Sequence, residues 1–372
     1  MKKVWMATDC VLSPLGLTTE ENFLSIQKGL SGIHQIHDDR YSPLPFFAGS
    51  ISDLNVEAGA TRFEALCSHV IRHVLKGVAL PVDRTILILA TTKGNINLLE
   101  ENKAAHPRIH LHTTAAWLAE QFKMKHHLVV SNACISGVMA MLVAKRMLQG
   151  NQFDHAVVVG ADVLSKFVIS GFQSLQALSN EPCKPFDKNR VGINLGECAA
   201  ATIITTKPEV FSSTPSILVL GGGLSNDANH ISGPSRTGEE LSIAVRDALT
   251  ESNLSADEID FISAHGTATI YNDEMEAKAF NLLHMNKTPL NSMKGYFGHT
   301  LGAAGVLESV MSAQSLKHHE LIATKGFQAL GVTMPLHIIQ SPEKKAIKTC
   351  LKTSSGFGGC NAALILQNQT NQ

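Results

Sequence analysis

The sequence predicts an α/β protein in which helices cover a parallel sheet and two halves follow a similar plan. Almost continuous apolar runs at residues 84–90 and 155–161 are typical of strands buried on both faces. Amphipathic helical patterns such as 62–77 alternate with these runs. Two strand–turn–helix units, 128–149 and 289–317, share one layout. The shared layout favours an internally duplicated α/β architecture.

The same signals assign the remaining elements of the first half. They predict strands at 4–11 and 198–205 and helices at 21–30 and 115–122, with Thr18 or Thr19 as the cap of the first of these helices. Two stretches without clear periodicity, 103–114 and 165–196, are predicted to be mainly loops.

The second half begins after a connection rich in Pro and Ser at residues 207–216, where we place a domain boundary. The predicted elements that follow are strands at 217–221 and 259–264 and helices at 239–252 and 273–283. The sequence is therefore divided into units of 1–210 and 211–372.

The composition describes a globular chain without a general affinity for charged polymers. Its 372 residues are 44% hydrophobic, enough to bury a large core, and the formal net charge is -1. So small a charge attracts neither nucleic acid nor an anionic membrane. Thr8 and Asp9 interrupt the N-terminal apolar run, and no stretch is long enough to cross a bilayer. We expect a cytoplasmic protein with no nucleic-acid or membrane partner.

The cysteines and histidines indicate neither a disulfide framework nor a metal. Seven cysteines are scattered without paired spacing, which is typical of a reducing compartment. The histidine pairs at 126–127 and 318–319 lack the ligand spacing of a closed zinc site. We expect no bound metal.

Cys134 is the first candidate for chemistry. An apolar strand at 128–130 ends in small residues and a helical pattern follows, so the thiol lies where a strand turns into a helix. Unpaired amides at a helix start carry partial positive charge, which favours a thiolate. A buried structural cysteine is the commoner explanation for one such residue by itself.

Three further clusters follow apolar strands in the second half. AHGTAT contains His265, KGYFGHTLGAAG contains Lys294 and His299 around a glycine turn, and SSGFGGCNAALIL places three glycines beside Phe357. Parallel α/β sheets gather their sites at strand ends, so four such clusters together favour an active site over separate structural roles.

With SNACISG around Cys134 and PFDKNRVGINLGE at 185–197, these motifs resemble the β-ketoacyl-acyl carrier protein synthases of the elongating type, in order and in approximate spacing. The resemblance extends from VLSPLG near the N-terminus to the last strand. It implies the thiolase fold, in which two similar halves form a layered αβαβα core. Residues 1–210 would carry the nucleophilic cysteine, and residues 211–372 the two histidines and the lysine.

The resemblance also implies an activity, the decarboxylative condensation of an acyl group with a malonyl unit held on acyl carrier protein. Cys134 would accept the acyl group, while His265 and His299 would stabilise the enolate formed when carbon dioxide leaves. The other implied residues assist these three: Lys294 with its ion-pair partner Glu308, the backbone N–H groups of Cys134 and Phe357 as an oxyanion hole, Thr267 and Thr269 on the phosphopantetheine arm, Phe357 as a gate and Phe172 in the acyl tunnel.

The implied partners are acyl carrier protein and a second subunit, either an identical chain or a paralogous synthase or chain-length factor. No cofactor is implied, because the phosphopantetheine arrives on the carrier protein. Fatty-acid, polyene and polyketide pathways are all compatible with the motifs, and the sequence does not define the acyl length.

Two alternatives stay open. A non-catalytic, chain-length-setting subunit would act as a binding partner, but subunits of that kind lack the nucleophile that this chain has in Cys134. A thiolase-type enzyme would use a second cysteine, for which Cys360 is the candidate. Because SGFGGCN fits the synthase pattern, we interpret Cys360 as a packing residue.

The sequence departs from the family pattern near the expected acyl pocket and at the expected docking surface. Ile135, Ser355 and Val191 replace residue types that are common at these positions. The segment 55–61 lacks the basic cluster that commonly meets the acidic carrier protein, which leaves Arg62 and Arg108 as docking candidates. We therefore expect altered carrier docking.

Overall fold

A computed structural model describes residues 2–52, 54–101, 103, 105–228 and 233–370. Its helices are α1 (Thr19–Gln27), α2 (Arg62–Val74), α3 (Asn97–Glu100), α4 (Leu111–Gln121), α5 (Ser136–Gln149), α6 (Lys166–Ser174), α7 (Glu239–Ser252), α8 (Ile270–Leu282), α9 (Lys294–Phe297) and α10 (Ala304–His318). Its strands are β1 (Trp5–Leu12), β2 (Ile33–Ile36), β3 (Phe46–Gly49), β4 (Thr85–Ala90), β5 (His126–Val130), β6 (His155–Asp162), β7 (Leu195–Gly196), β8 (Cys198–Thr205), β9 (Ile217–Asn226), β10 (Phe261–Ser263), β11 (Pro289–Asn291), β12 (Glu320–Leu321), β13 (His337–Ile338), β14 (Glu343–Lys344), β15 (Thr349–Gly356) and β16 (Cys360–Asn368).

The main sheet has the order β13-β11-β10-β15-β16-β9-β1-β8-β6-β4-β5. β1 and β9 meet at its centre. Outward from each, two antiparallel contacts are followed by two parallel ones, through β8, β6, β4 and β5 on one side and β16, β15, β10 and β11 on the other. The chain visits the five positions in the same order in both halves. The predicted duplication is therefore confirmed.

The helices form three layers around this sheet. α2 and α4 cover the outer face of the first half, and α7 and α8 cover the outer face of the second. α5 and α10 lie between the halves, and each contacts strands of both. This arrangement confirms the predicted αβαβα core.

The central helices touch backbone to backbone where Gly137 faces Gly305. A Cβ on Gly137 would lie 2.7 Å from the amide nitrogen of Val306 and 2.9 Å from the Cα of Gly305. A Cβ on Gly305 would lie 2.8 Å from the carbonyl carbon of Gly137. Residues without a side chain therefore permit this approach. It brings together the starts of α5 and α10, next to Cys134 and His299.

The predicted elements are present, several of them with their predicted bounds. β8 and α7 span the predicted ranges, and Thr18 caps α1 in a capping box with Glu21. Two loop predictions hold only in part. The stretch 165–196 contains α6, which Ser165 caps, and α4 begins at Leu111, inside the predicted loop 103–114, of which residue 104 lies outside the described residues.

The connection between the halves, residues 207–216, joins β8 to β9 through a short 3₁₀ turn at Pro208–Val210. The division into 1–210 and 211–372 stays a prediction. Within the described residues, no helix has both the length and the apolar character needed to cross a membrane.

Candidate active site

Cys134 lies in the sharp turn between β5 and α5. Ala133 has a left-handed backbone, with φ of 43°, which reverses the chain immediately before the thiol. The Ser136 hydroxyl donates to the Ala133 carbonyl at 2.7 Å and accepts from the Asn132 amide at 2.8 Å. The turn is thus held from within, and it places the cysteine directly before the start of α5.

His299 occupies the equivalent position between β11 and α10. Gly298, with φ of 72°, precedes it, and a Cβ there would lie 2.8 Å from the carbonyl carbon of Leu195. The His299 N–H donates to the Asn194 carbonyl at 2.7 Å, and the Gly196 N–H donates to the His299 carbonyl at 3.0 Å. A segment of the first half therefore fixes this histidine of the second half.

His265 follows β10 in a turn that a buried carboxylate holds. Glu276 of α8 accepts hydrogen bonds from the backbone N–H groups of His265 at 2.8 Å and Gly266 at 2.7 Å. The same carboxylate accepts from the Thr353 hydroxyl of β15 at 3.1 Å. Glu276 therefore ties the histidine turn to the neighbouring strand.

The thiol and the two imidazoles converge at one point. The Cys134 sulfur and a ring nitrogen of each of His265 and His299 lie within 4.8 Å of one another. The rings meet edge to face, with centroids 5.0 Å apart. Nδ1 of His265 and both ring nitrogens of His299 have no hydrogen-bond partner among the described residues, although these side chains are only 2% and 1% exposed. They are free to hydrogen-bond a substrate oxygen.

A thiol and two imidazoles are also a donor set that zinc accepts. Within the described residues, these three form the one group of His, Cys, Asp or Glu side chains close enough to hold a metal ion. The sequence analysis expects no metal, and the family resemblance implies that the thiol is a nucleophile.

Two buried lysines share one carboxylate behind the histidines. Lys294 forms the predicted ion pair with Oε1 of Glu308, and Lys352 of β15 lies 2.7 Å from Oε2 of the same residue. The side chains of both lysines are fully buried and that of Glu308 is 2% exposed. The sequence analysis identified Lys294 and Glu308 but missed Lys352.

Burial dominates the electrostatics of the site. Burial, assisted by the positive charges of Lys294 and Lys352, lowers the pKa of His265 and of His299 well below the usual range, so both rings are neutral near pH 7. Burial raises the pKa of the Cys134 thiol to about 12; Cys360 adds to this effect and Lys294 opposes it. Burial therefore opposes the thiolate that the helix start is expected to favour, and Cys134 must lose its proton during reaction.

A cavity of about 450 Å³ opens to the surface beside Val191, Ile270 and Tyr271 and reaches Cys134, His265 and His299. Its walls are mainly apolar, and it includes the four residues that the family resemblance assigns to substrate binding: Phe172, Thr267, Thr269 and Phe357. The two threonine hydroxyls lie 2.9 Å apart. The two phenylalanine rings stack with their centroids 5.7 Å apart.

The glycine turn after β15 lies against the cysteine turn. A Cβ on Gly356 would lie 3.0 Å from the amide nitrogen of Cys134 and 3.0 Å from the sulfur of Cys360. The amides of Cys134 and Phe357, expected to form an oxyanion hole, therefore belong to adjoining segments. Cys360 is 4% exposed, and its sulfur lies 3.4 Å from the Phe357 carbonyl oxygen, in keeping with a packing role.

The structure pairs both arginines suggested for carrier docking with internal carboxylates. Arg62 pairs with the buried Glu197, and Arg108 pairs with the buried Glu64 at 2.8 Å. The Arg108 guanidinium also lies over the Trp117 ring, 4.8 Å from its centroid. Each arginine neutralises an internal carboxylate, so neither is a free surface cation.

The sequence analysis also missed Glu276 and Asn194. Both act through contacts between segments far apart in the chain, which no local pattern reveals. Lys352 did leave a signal, because a lysine inside a strand whose residues are otherwise small or apolar must find a buried partner.

The fold and the site together define a class of protein. It is a duplicated, thiolase-like α/β protein in which a thiol faces two imidazoles. Family models for the β-ketoacyl synthase N-terminal domain and C-terminal domain match residues 100–209 and 217–328, together more than half of the chain. The chain belongs to the β-ketoacyl synthase family.

Individual relatives agree with this assignment. The chain is 31% identical over 250 residues to 3-oxoacyl-[acyl-carrier-protein] synthase 2 of Coxiella burnetii, a match that covers 64% of this chain and spans 60% of that protein. It is 27% identical to the synthase of the same name from Vibrio cholerae, over 96% of this chain and 97% of that protein. A chain in the complex of a ketosynthase with its chain length factor from Xenorhabdus doucetiae is 25% identical, with a TM-score of 0.87 and coverage of 99% and 98%.

Proposed function

We propose that the protein is a 3-oxoacyl-acyl carrier protein synthase that extends an acyl chain by two carbons, using malonyl-acyl carrier protein as donor. The observation that carries this proposal is the convergence of Cys134, His265 and His299 within 4.8 Å at the floor of an open cavity. A ring nitrogen of each histidine lies within 4.8 Å of the thiol, so one site holds both a nucleophile and donors for an oxyanion.

The first step is acyl transfer to Cys134. The sulfur attacks the carbonyl carbon of an acyl thioester, a new carbon–sulfur bond forms, and the carrier thiolate leaves. The proton lost by Cys134 ends on the departing carrier thiol, and a neutral imidazole within reach of the sulfur can relay it. The amides of Cys134 and Phe357 stabilise the tetrahedral oxyanion, an interaction whose loss costs about 3 kcal/mol in comparable sites.

The second step generates the carbon nucleophile. The bond between the α-carbon of the malonyl thioester and its carboxylate breaks, carbon dioxide leaves, and the electron pair moves into an enolate. His265 and His299, both neutral, donate hydrogen bonds to the enolate oxygen. The enolate carbon then forms a bond to the acyl carbonyl carbon, the bond between that carbon and the Cys134 sulfur breaks, and the thiolate takes up a proton from water.

The shape of the cavity suits thioesters that arrive on a flexible arm. Thr267 and Thr269 line it together with the catalytic groups, so their hydroxyls can bind the amides of a phosphopantetheine arm. No resident cofactor is required. The exposed side chains at its mouth, Val191, Ile270 and Tyr271, are largely apolar. We therefore propose that the carrier protein is held at the mouth less by charge than is usual for this family.

The test separates the two half-reactions. Intact mass follows acyl transfer to Cys134, and release of carbon dioxide follows the reaction of malonyl-acyl carrier protein. We expect Cys134→Ala to abolish acyl labelling, and His265→Ala or His299→Ala to reduce carbon dioxide release by at least about a thousandfold while labelling of Cys134 persists. Absence of label on Cys134 in the wild type, alone and with any partner subunit, would favour the non-catalytic subunit.

We also propose that the enzyme works as a dimer in the cytoplasm. β5 ends the main sheet, pairs on one side with β4, and exposes Leu128, as a strand that meets a second subunit would. The related Xenorhabdus doucetiae ketosynthase is in complex with a chain length factor, which makes a paralogous partner as plausible as a second copy. Native mass spectrometry of the isolated chain distinguishes the two. The free state of all seven cysteines supports a reducing location.

A further inference from the structure

We propose that Lys352 is a positioning residue. It holds the His265 turn and, together with Lys294, pairs with Glu308, so that both histidines act as neutral hydrogen-bond donors. This inference rests on the function proposed above. Three observations carry this inference: the contacts of Lys352, the buried charges around Glu308, and the position of these groups behind the two imidazoles.

Lys352 holds the end of the strand that leads to His265. It lies opposite Ser263 in the parallel pairing of β15 with β10. Its ammonium donates to the carbonyl oxygens of Ser263 at 3.1 Å, Ala264 at 3.3 Å and Thr353 at 2.6 Å. Ala264 directly precedes His265, so the lysine fixes the backbone from which that ring extends.

The ion pair with Glu308 connects a second catalytic segment. Glu308 lies on α10, the helix that follows His299, and its two oxygens face Lys294 and Lys352. Lys352 also lies on β15, which ends immediately before Phe357. One buried side chain thus connects the strand to His265, the helix after His299 and the strand before the Phe357 turn.

The buried charges argue against a purely structural role. Lys294 and Lys352 are fully buried and share Glu308, and the buried Glu276 carboxylate also acts on Lys352. Because buried ion pairs are often no more stabilising than apolar residues of similar volume, stability alone does not explain a lysine here. Lys145, by contrast, is equally buried but has Glu251 to itself at 2.6 Å.

The charges of Lys294 and Lys352 lie where they affect the imidazoles. The titratable groups near one or both rings, besides the other ring, are Cys134 beside both, Glu276 on the backbone of His265, and Lys294 and Lys352 with their shared partner Glu308. Burial and then the lysines lower the pKa of both histidines, which opposes formation of imidazolium. Burial lowers the pKa of Lys352 itself and Glu308 opposes that effect, so the ion pair helps to keep the ammonium charged.

The test uses three substitutions of Lys352 and one matched control. Lys352→Gln removes the charge but keeps a hydrogen-bond donor for the backbone carbonyls, Lys352→Arg keeps the charge, and Lys352→Met removes both. Lys145→Met removes a lysine of equal burial whose carboxylate partner lies on α7. Measurements are acyl labelling of Cys134, carbon dioxide release from malonyl-acyl carrier protein between about pH 5 and pH 9, and titration of the histidines by NMR.

We expect Lys352→Gln and Lys352→Met to lose about tenfold in carbon dioxide release, with acyl labelling within about twofold of the wild type. Loss of the positive charge raises the imidazole pKa, so the acid limb of the rate profile should move up by about one pH unit. Lys352→Arg should keep the limb in place even where its rate falls. Lys145→Met should keep the limb and the ratio of the two half-reactions.

Wild-type carbon dioxide release and an unmoved acid limb in Lys352→Gln would overturn the inference. Equal loss of both half-reactions, with unchanged histidine titration, would also overturn it by showing a structural residue only. If Lys352→Met does not fold, the comparison of Lys352→Gln with Lys352→Arg decides. A wild type that releases no carbon dioxide would contradict the proposed function instead, and the NMR titration would still decide the role of Lys352.

Discussion

The two halves of the molecule share a strand order but differ in what they place on it. In each half, the connection that follows the strand at the fifth position from the centre contains a left-handed residue, Ala133 or Gly298, and the next residue carries the functional group. That residue is Cys134 in the first half and His299 in the second. Equivalent turns therefore supply a nucleophile and a hydrogen-bond donor to one site.

The halves differ beside the cavity in the connection between their third and second strands. In the first half, residues 163–197 carry α6 and β7 and supply Phe172 and Val191 to the cavity. In the second half, the turn at 357–359 joins β15 directly to β16 and supplies Phe357. The duplicated parts therefore position the reacting groups, whereas the unequal parts add walls to the cavity.

The largest effect is expected from a substitution that forces apart the two central helices, α5 and α10. Gly305→Ala places a methyl group against the backbone of Gly137 and Val138, where nothing flexible can move aside. We expect the free energy of unfolding to fall by about 3 kcal/mol, measured by denaturant unfolding, with loss of carbon dioxide release.

Gly171→Ala is the matched control for this change. Gly171 lies in α6 with open space around its Cβ position, so alanine should raise stability by up to about 1 kcal/mol through its higher helix propensity. Equal stability of Gly305→Ala and the wild type would contradict the close approach of the two helices.

The pH dependence of alkylation at Cys134 tests whether burial or the start of α5 has the larger effect on the pKa of the thiol. Because the raised pKa of about 12 leaves Cys134 protonated at neutral pH, the thiolate fraction grows as the pH rises. The rate of alkylation by iodoacetamide should therefore increase about tenfold per unit between about pH 7 and pH 9. Cys134→Ala corrects for labelling of other cysteines. A rate that is constant in this range would mean that the helix start outweighs burial.

The contact between the two unequal connections can be tested at the stacked rings of Phe172 and Phe357. Phe172→Ala removes the stack on Phe357, an interaction of about 0.5–1.5 kcal/mol, and widens the cavity. We expect KM for acyl-acyl carrier protein to change by up to about tenfold, while carbon dioxide release from the malonyl substrate changes less. Phe167→Ala, on the same helix but 54% exposed, is the control. Equal effects of the two substitutions would count against the assignment of Phe172 to the acyl tunnel.

The smallest effect is expected at Cys360. Its sulfur packs beside the glycine turn, so Cys360→Ala should leave condensation within about twofold of the wild type and lower stability by about 1 kcal/mol. Steady-state kinetics with acyl carrier protein and with CoA thioesters check this. Loss of a CoA-dependent activity in Cys360→Ala would favour the thiolase alternative.

The secondary structure was predicted well from the sequence because the apolar residues of its strands and helices recur with strong periodicity. β8 is a run of buried apolar residues and α7 a long amphipathic helix, so both were predicted with their observed bounds. α6 was missed because Gly171 and β-branched residues lower its helix propensity. Its cap, Ser165, is also not followed three residues later by the Glu or Gln of a capping box. The start of α4 was missed because no side chain caps it.

The site was predicted unevenly for a physical reason. Motifs of consecutive residues identified Cys134, His265 and His299. The residues that hold these three in place come from distant parts of the chain, where no local motif reveals them. Arg62 resembled a surface cation until the structure showed the buried Glu197 beside it. A sequence gives the charge of a side chain but not its partner, and the partner decides whether that charge faces solvent.

The glycine contact between α5 and α10 has a consequence for how the protein loses its activity. The thiol and one imidazole are attached to helices that meet without side chains between them, so neither helix can shift by itself. Partial loosening of one half would pull apart the reacting groups and expose the shared interior at once. Heat inactivation should therefore coincide with a single cooperative melting transition rather than precede it.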